Sequence, residues 1–237
     1  MNKLFKLHFR NLFIQKAFYI CLTLFILTNF LPSLLLMNTP LGKNVNVMNE
    51  FINAVSGTNM IMTIFITIFS CLDFSENTLK NIIAKGYSKK SYIITKIITN
   101  IIAILFTILV SFIICNILFI SRGFGYKGIY TMIIICGLIY LISTTIIFTC
   151  TSLIFEKLAP AIIVNILGPA FIQLILSAID SLFKIRISKY FITNASFVLL
   201  GADQTQSNFN FLIIISIIYA VVFLLLTVIV FKRKEIK

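Results

Sequence analysis

The chain has 237 residues, 59% of them hydrophobic and only 11% charged, with 24 Phe and no Trp. Soluble domains carry about 45–50% apolar and about 25% charged residues, so this balance excludes an ordinary water-soluble enzyme and points to an integral membrane protein. The formal net charge of +13 requires no nucleic acid, because basic residues that flank membrane spans face anionic lipid headgroups.

A transmembrane helix needs about 20 mostly apolar residues. Six runs meet that length, near 17–37, 54–72, 92–120, 129–154, 158–182 and 211–231. They alternate too rarely and run too long for barrel strands. The prediction is an all-α polytopic protein with one membrane domain over residues 1–237 and six transmembrane helices.

Ahead of the first run, Leu4, Phe5, His8, Phe9, Leu12 and Phe13 recur at intervals of three and four, while Lys3, Lys6 and Arg10 take another face. This pattern predicts an interfacial helix over residues 1–16. His8, the only histidine, has no metal-binding companion and reads as an interfacial residue. The run 17–37 exceeds the about 7–15 residues of a signal-peptide core, and no small-x-small site follows it, so it is expected to stay as the first span.

Between the second and third runs lies a polar island, DFSENTLKNIIAKGYSKKS, at 73–91. Asp73 and Glu76 have capping-box spacing, with Asp in place of Ser or Thr. Acids favour a helix N-terminus, and Lys80 and Lys85 would favour its other end. Gly86 is a natural stop, and Ser88 a natural cap for the helix that enters the third run. Leu79, Ile82 and Ile83 form one apolar stripe at i, i+3 and i+4. A short helix of this kind lies along a membrane surface or fits a partner's groove. The simpler alternative is a basic loop with a stray helical turn.

Further along, Gly123, Gly125 and Gly128 match G-x-G-x-x-G, but that fingerprint needs a βαβ unit, and here it joins two spans as a turn. In the fifth run Asn165, Pro169 and Gln173 follow i, i+4 and i+8, with Asp180 seven residues on and near the same face. Pro169 after Gly168 predicts a kink. This face is expected to line a path or meet a second copy, with ordinary interhelical hydrogen bonding as the alternative. An Asp at the bilayer centre costs about 2.5–3.5 kcal/mol, so Asp180 is expected at the outer end, near Lys184 and Arg186. Asn100, Asn116, Ser143, Thr144 and Thr145 read as packing residues. In the outer segment 183–210, the apolar run Tyr190–Leu200 is too short to span. Cys21, Cys71, Cys115, Cys136 and Cys150 match no zinc or C-x-x-C spacing and read as small hydrophobes.

Six spans put both termini on one side. With the termini inside, 14 of the 20 Lys and Arg fall in inner segments, Lys96 and Lys157 among them, which favours cytoplasmic termini and puts the polar island in the cytoplasm.

Phe74, Glu76, Thr78, Leu79, Lys80, Asn81, Gly86, Ser88, Tyr92 and Lys96 together resemble the loop after the second span in small permeases of the type-2 ABC exporter family. The spacing differs near Glu76, and Lys89 stands where Arg is common. The resemblance extends to length, six spans and the basic tail FKRKEIK. Within the family the chain looks most like permeases of bacterial peptide exporters, such as lantibiotic and bacitracin immunity transporters and peptide-toxin exporters. It implies a bacterial cell-membrane protein in which Asp73, Phe74, Glu76, Leu79, Lys80, Ile82, Ile83 and Lys89 belong to a coupling helix. That helix would dock on a cytoplasmic ATP-binding cassette subunit, and a second permease copy or similar sister permease would complete the path. Residues 1–16 would be the elbow into span one, and a helical hairpin would occupy 183–210.

The chain has no G-x-x-x-x-G-K-[ST] motif for nucleotide. It also lacks an HExxH, a GxSxG or a Cys/His pair for intramembrane hydrolysis. ATP hydrolysis is therefore expected in the partner, and no cofactor, metal or nucleic acid is expected. Membrane lipids are the remaining partner. Two other readings stand beside the exporter. A stand-alone channel or secondary carrier would need intramembrane charges or broken helices near the midplane. A non-transporting scaffold subunit would need only a partner.

Overall fold

The computed structural model describes residues 2–37, 47–121, 131–193 and 206–233. Every regular element among the described residues is helical. In chain order these are α1 (Asn2–Ile14), α2 (Lys16–Met37), α3 (Val47–Ser75), α4 (Thr78–Ala84), α5 (Lys89–Ser121), α6 (Thr131–Phe155) and α7 (Leu158–Ile162). A π turn (Ile163–Leu167), α8 (Gly168–Phe183), a 3-10 turn (Ser188–Tyr190) and α9 (Gln206–Arg233) follow. Four segments are each long and apolar enough to cross a membrane: Lys89–Ile114, Thr131–Phe155, Leu158–Phe183 and Asn208–Arg233. Counting two bent helix pairs as spans raises the number to as many as six. The expected turn at 122–128, the run 194–200 and the end of the basic tail at 234–237 lie outside the described residues.

The outer surface is rich in large apolar side chains, and polar residues join the apolar core inside. Leu109, Ile117, Leu174 and Leu225 are exposed, while Thr63, Thr67, Ser70, Thr99, Asn100 and Thr149 are buried. Hydrocarbon accepts apolar side chains on the outside and rewards helices that satisfy polar groups among themselves. Many hydroxyls do so within their own helix: Thr67 donates to the Thr63 carbonyl at 2.7 Å, Thr99 to Thr95 at 2.8 Å and Thr107 to Ala103 at 2.9 Å. The centre of the bundle is α6, which packs against α3, α5 and α9. Of the cysteines with described side chains, Cys21, Cys71, Cys136 and Cys150 are all buried and free.

The first bend, 60° between α1 and α2, falls at Gln15. Leu4, His8 and Leu12 turn inward while Lys3, Lys6 and Arg10 stay exposed. His8 is therefore a core residue, against the interfacial expectation, because it shares the inner stripe with Leu4 and Leu12.

The second bend, 61°, separates α3 from α4. Here the expected capping box does not form. Asp73 still belongs to α3, and the residue before α4 is Asn77, in the left-handed conformation (φ 55°) without a side-chain cap. Asn tolerates that conformation better than most residues. The far end follows expectation. Gly86 has φ 83°, its amide donates to Ile83 at 2.9 Å, and the Tyr87 amide donates to Ile82 at 3.4 Å. These two bonds form a Schellman motif. Ser88 then caps α5 by accepting from the Ser91 amide at 3.2 Å.

The fifth run is interrupted by the π turn that ends just before Gly168-Pro169. Pro169 has no N–H to bond the carbonyl four residues back and its ring crowds that carbonyl, and a π turn is one way a helix absorbs such a mismatch. Beyond it, α8 has no buried residue, with Phe171, Leu174 and Leu182 each two-thirds or more exposed.

Candidate functional site

Four polar side chains from three helices meet at the root of α4. In the last turns of α3, Asp73 accepts a hydrogen bond from Tyr92 Oη at 2.7 Å and from Lys96 Nζ at 2.8 Å, both at the same carboxylate oxygen. The ammonium also lies 3.5 Å from the centroid of the Phe69 ring. His8 of α1 stands edge-on to Tyr92, its Nδ1 3.9 Å from that carboxylate oxygen. Lys96, Tyr92 and His8 are fully buried and Asp73 is 6% exposed. Among the described residues, neither ring nitrogen of His8 has a hydrogen-bond partner. Burial, reinforced by the nearby Lys96 ammonium and only partly offset by Asp73, pushes its pKa down to about 4, so the imidazole is neutral at neutral pH.

Lys96 is thus no headgroup-facing charge, as its place among the inner basic residues had suggested. It is neutralised inside the bundle, where an unpaired charge would be far more costly. Tyr92 and Lys96 both belong to the set of residues that carries the family resemblance. A sequence signal for the pair does exist: an acid ending one apolar run and a lysine just inside the next.

The apolar stripe of α4 packs on its own chain. Leu79 and Ile82 are buried against Leu4, Tyr92, Ile93, Ile97, Cys150, Leu153 and Phe231, with Ile83 partly covered by the same cluster. Phe74 meets Phe231 edge-on at 6.1 Å. What remains exposed at the bend and on α4 is Ser75, Glu76, Asn77, Lys80, Asn81, Ala84 and Lys85, while Lys89 at the start of α5 is half-buried. The eight residues expected to act together are therefore divided. Leu79 and Ile82 hold α4 in place, Asp73 joins the end of α3 to α5, and Glu76 and Lys80 face outward.

A polar seam continues from this cluster into the bundle. Asn100 of α5 donates to Ser70 at 3.2 Å and to Thr149 at 2.8 Å. Deeper, Asn165 in the π turn donates to Thr67 Oγ1 at 2.9 Å, Ser152 Oγ at 3.0 Å and the Phe148 carbonyl at 3.2 Å, and accepts from Thr151. Asn165 thus ties the π turn to α3 and α6 at once.

Asn165, Pro169 and Gln173 also line a cavity of about 700 Å³, whose other walls include Tyr140 of α6 and Tyr219 of α9. Gln173 accepts from Thr193 Oγ1 at 2.9 Å. Asp180 lies apart from them. Its carboxylate accepts the backbone amides of Ile187 at 2.6 Å and Ser188 at 3.0 Å, so amides of the turn after α8, not Lys184 or Arg186, hold it. The expected four-residue face is three residues at a cavity and one at a turn.

No protein-family model matches the chain, and it has no match among curated proteins.

Proposed function

We propose that the chain is the permease subunit of an ATP-driven ABC exporter. It would have six spans, cytoplasmic termini and a cargo that is an amphipathic or antimicrobial peptide. The observation that carries this reading is the geometry of α4. A short helix leaves α3 at 61°, is anchored from beneath by Leu79 and Ile82, and turns Glu76, Lys80, Asn81 and Lys85 outward. A helix packed on one side and polar on the other suits a soluble partner better than a lipid surface, which would need its apolar stripe free. The resemblance over residues 74–96 supplies the identity of that partner, an ATP-binding cassette subunit in the cytoplasm. The unburied α8 and the cavity behind it suit a second permease copy, or a sister permease, completing a path. A sparsely charged interior suits an amphipathic cargo better than a small ion.

The test is capture from the native host in mild detergent, with full-length chain as bait. A stoichiometric soluble subunit bearing a Walker A motif is expected, and it should be lost from Glu76→Lys/Lys80→Glu, which changes only exposed side chains. If the wild-type chain comes down alone under conditions that preserve other ABC complexes, the reading fails. Ion flux through the purified chain in liposomes without nucleotide would then favour a channel.

A further inference from the structure

The buried pair takes no part in the exposed face of α4, since neither Asp73 nor Lys96 is accessible to a partner. Nor does a buried ion pair usually stabilise a fold better than apolar residues of the same size, because desolvation offsets the attraction. Its position is what sets it apart. Asp73 lies four residues before Asn77, the left-handed residue at which the chain turns into α4, while Tyr92 and Lys96 lie near the start of α5, the helix that leaves α4. The pair therefore ties together the two strands of chain that enter and leave α4. Between them, Leu79 and Ile82 pack on Tyr92, Ile93 and Ile97. Phe231 of α9 stacks on the Tyr92 ring at 6.2 Å and 15°. Charge and hydroxyl thus join the end of α3 to the start of α5, and apolar contacts join α4 to the same turns of α5. Without the charge and the hydroxyl, the end of α3 and the start of α5 could part at the base of α4, and a push on α4 would be absorbed there.

We propose that Asp73, Lys96 and Tyr92 are positioning residues that clamp the end of α3 to the start of α5 on either side of α4, so that these three segments move as one rigid body and a displacement of α4 is delivered to the bundle. This rests on α4 being the docking helix. Delivery beyond α5 runs through Asn100, four residues past Lys96, whose amide bonds Ser70 of α3 and Thr149 of α6. Coupling between sites needs such a physically continuous set of contacts.

The experiment compares ATP turnover of the captured ATPase subunit when free and when bound to the full-length chain in lipid nanodiscs. Wild type, Asp73→Asn/Lys96→Met and Tyr92→Phe are measured side by side. The double variant removes both charges and keeps an acceptor for Tyr92. Tyr92→Phe deletes one hydrogen bond and keeps the ring stack. None alters the exposed face of α4, so all are expected to bind the subunit equally well. Wild type should change its turnover on binding. In the double variant that change should shrink at least about fivefold, and in Tyr92→Phe it should shrink in part. A folded double variant that alters turnover as much as wild type overturns the proposal, as does a wild-type chain that binds without altering turnover. If the double variant does not insert, Tyr92→Phe decides by the same comparison. A wild-type chain that captures no ATPase subunit overturns the docking reading itself, and this inference with it.

Discussion

Replacing Lys96 by Met keeps most of the side-chain volume but strips Asp73 of its counter-ion. The Asp73 side chain, 9% exposed, is left with the Tyr92 hydroxyl at 2.7 Å and a neutral His8 at 3.9 Å. Removing one partner of a buried pair costs about 3–5 kcal/mol, because the remaining charge is uncompensated. Losing the ammonium over Phe69 falls within that figure, at about 0.5–2 kcal/mol for a cation–π contact. Set against a typical total of about 5–15 kcal/mol, this is a large share. Asp73→Asn/Lys96→Met removes both charges and should return to within about 1 kcal/mol of wild type. The assay is reversible unfolding in mixed micelles titrated with SDS and followed by circular dichroism. The deficit of Lys96→Met should shrink as pH falls: the ammonium that depresses His8 is gone, and an imidazolium can take its place beside Asp73. A Lys96→Met protein as stable as wild type, or a double variant as unstable as the single, would refute this account of the cluster.

Two further outcomes use the same assay. Asn165→Leu deletes bonds to Thr67, Ser152, Thr151 and the Phe148 carbonyl, each worth about 0.6 kcal/mol in a membrane protein, so a loss of about 2 kcal/mol is expected. The cost stays small because Thr67 and Ser152 already donate to the carbonyls of Thr63 and Phe148, and Thr151, whose one proton goes to Asn165, can turn it to the Ile147 carbonyl 3.0 Å away; a loss above about 4 kcal/mol would contradict this. His8 should make stability acid-sensitive. Its folded pKa of about 4 lies below the ordinary 6.5, so its contribution is intact above pH 6.5 and is lost as pH falls from there toward 4, by about 3 kcal/mol. His8→Leu should flatten that part of the difference curve, and an unchanged slope would mean that His8 binds protons equally in both states. Finally, Leu79→Asp, which inserts a charge among Leu4, Tyr92 and Phe231, should expose residues 76–87 to limited proteolysis while Lys80→Glu leaves them protected.

Much of the architecture was legible in the chain because lipid imposes long-range order on composition. A run of about 20 apolar residues forms a helix whatever its neighbours are. The expected run 129–154 is accordingly Thr131–Phe155 in the structure, and 211–231 lies inside Gln206–Arg233. The stop at Gly86 and the Ser88 cap were legible too, since both act within a few residues along the backbone. The direction in which each polar residue faces was not. Local spacing suggested that Asp73 caps a helix, that Lys96 meets headgroups and that His8 lies at the interface. All three judgements failed for one reason: the partners of Asp73 lie 65 and 23 residues away along the chain, and no local rule brings Asp73, Lys96 and His8 together. The same holds for Asn165, whose bond to Thr67 spans 98 residues. Sequence alone determined that this chain is a bundle of membrane-length helices with a short polar helix between two of them. Only tertiary packing decided which face of that helix is held and which is free, because a stripe such as Leu79, Ile82 and Ile83 is equally apolar toward its own bundle and toward a partner.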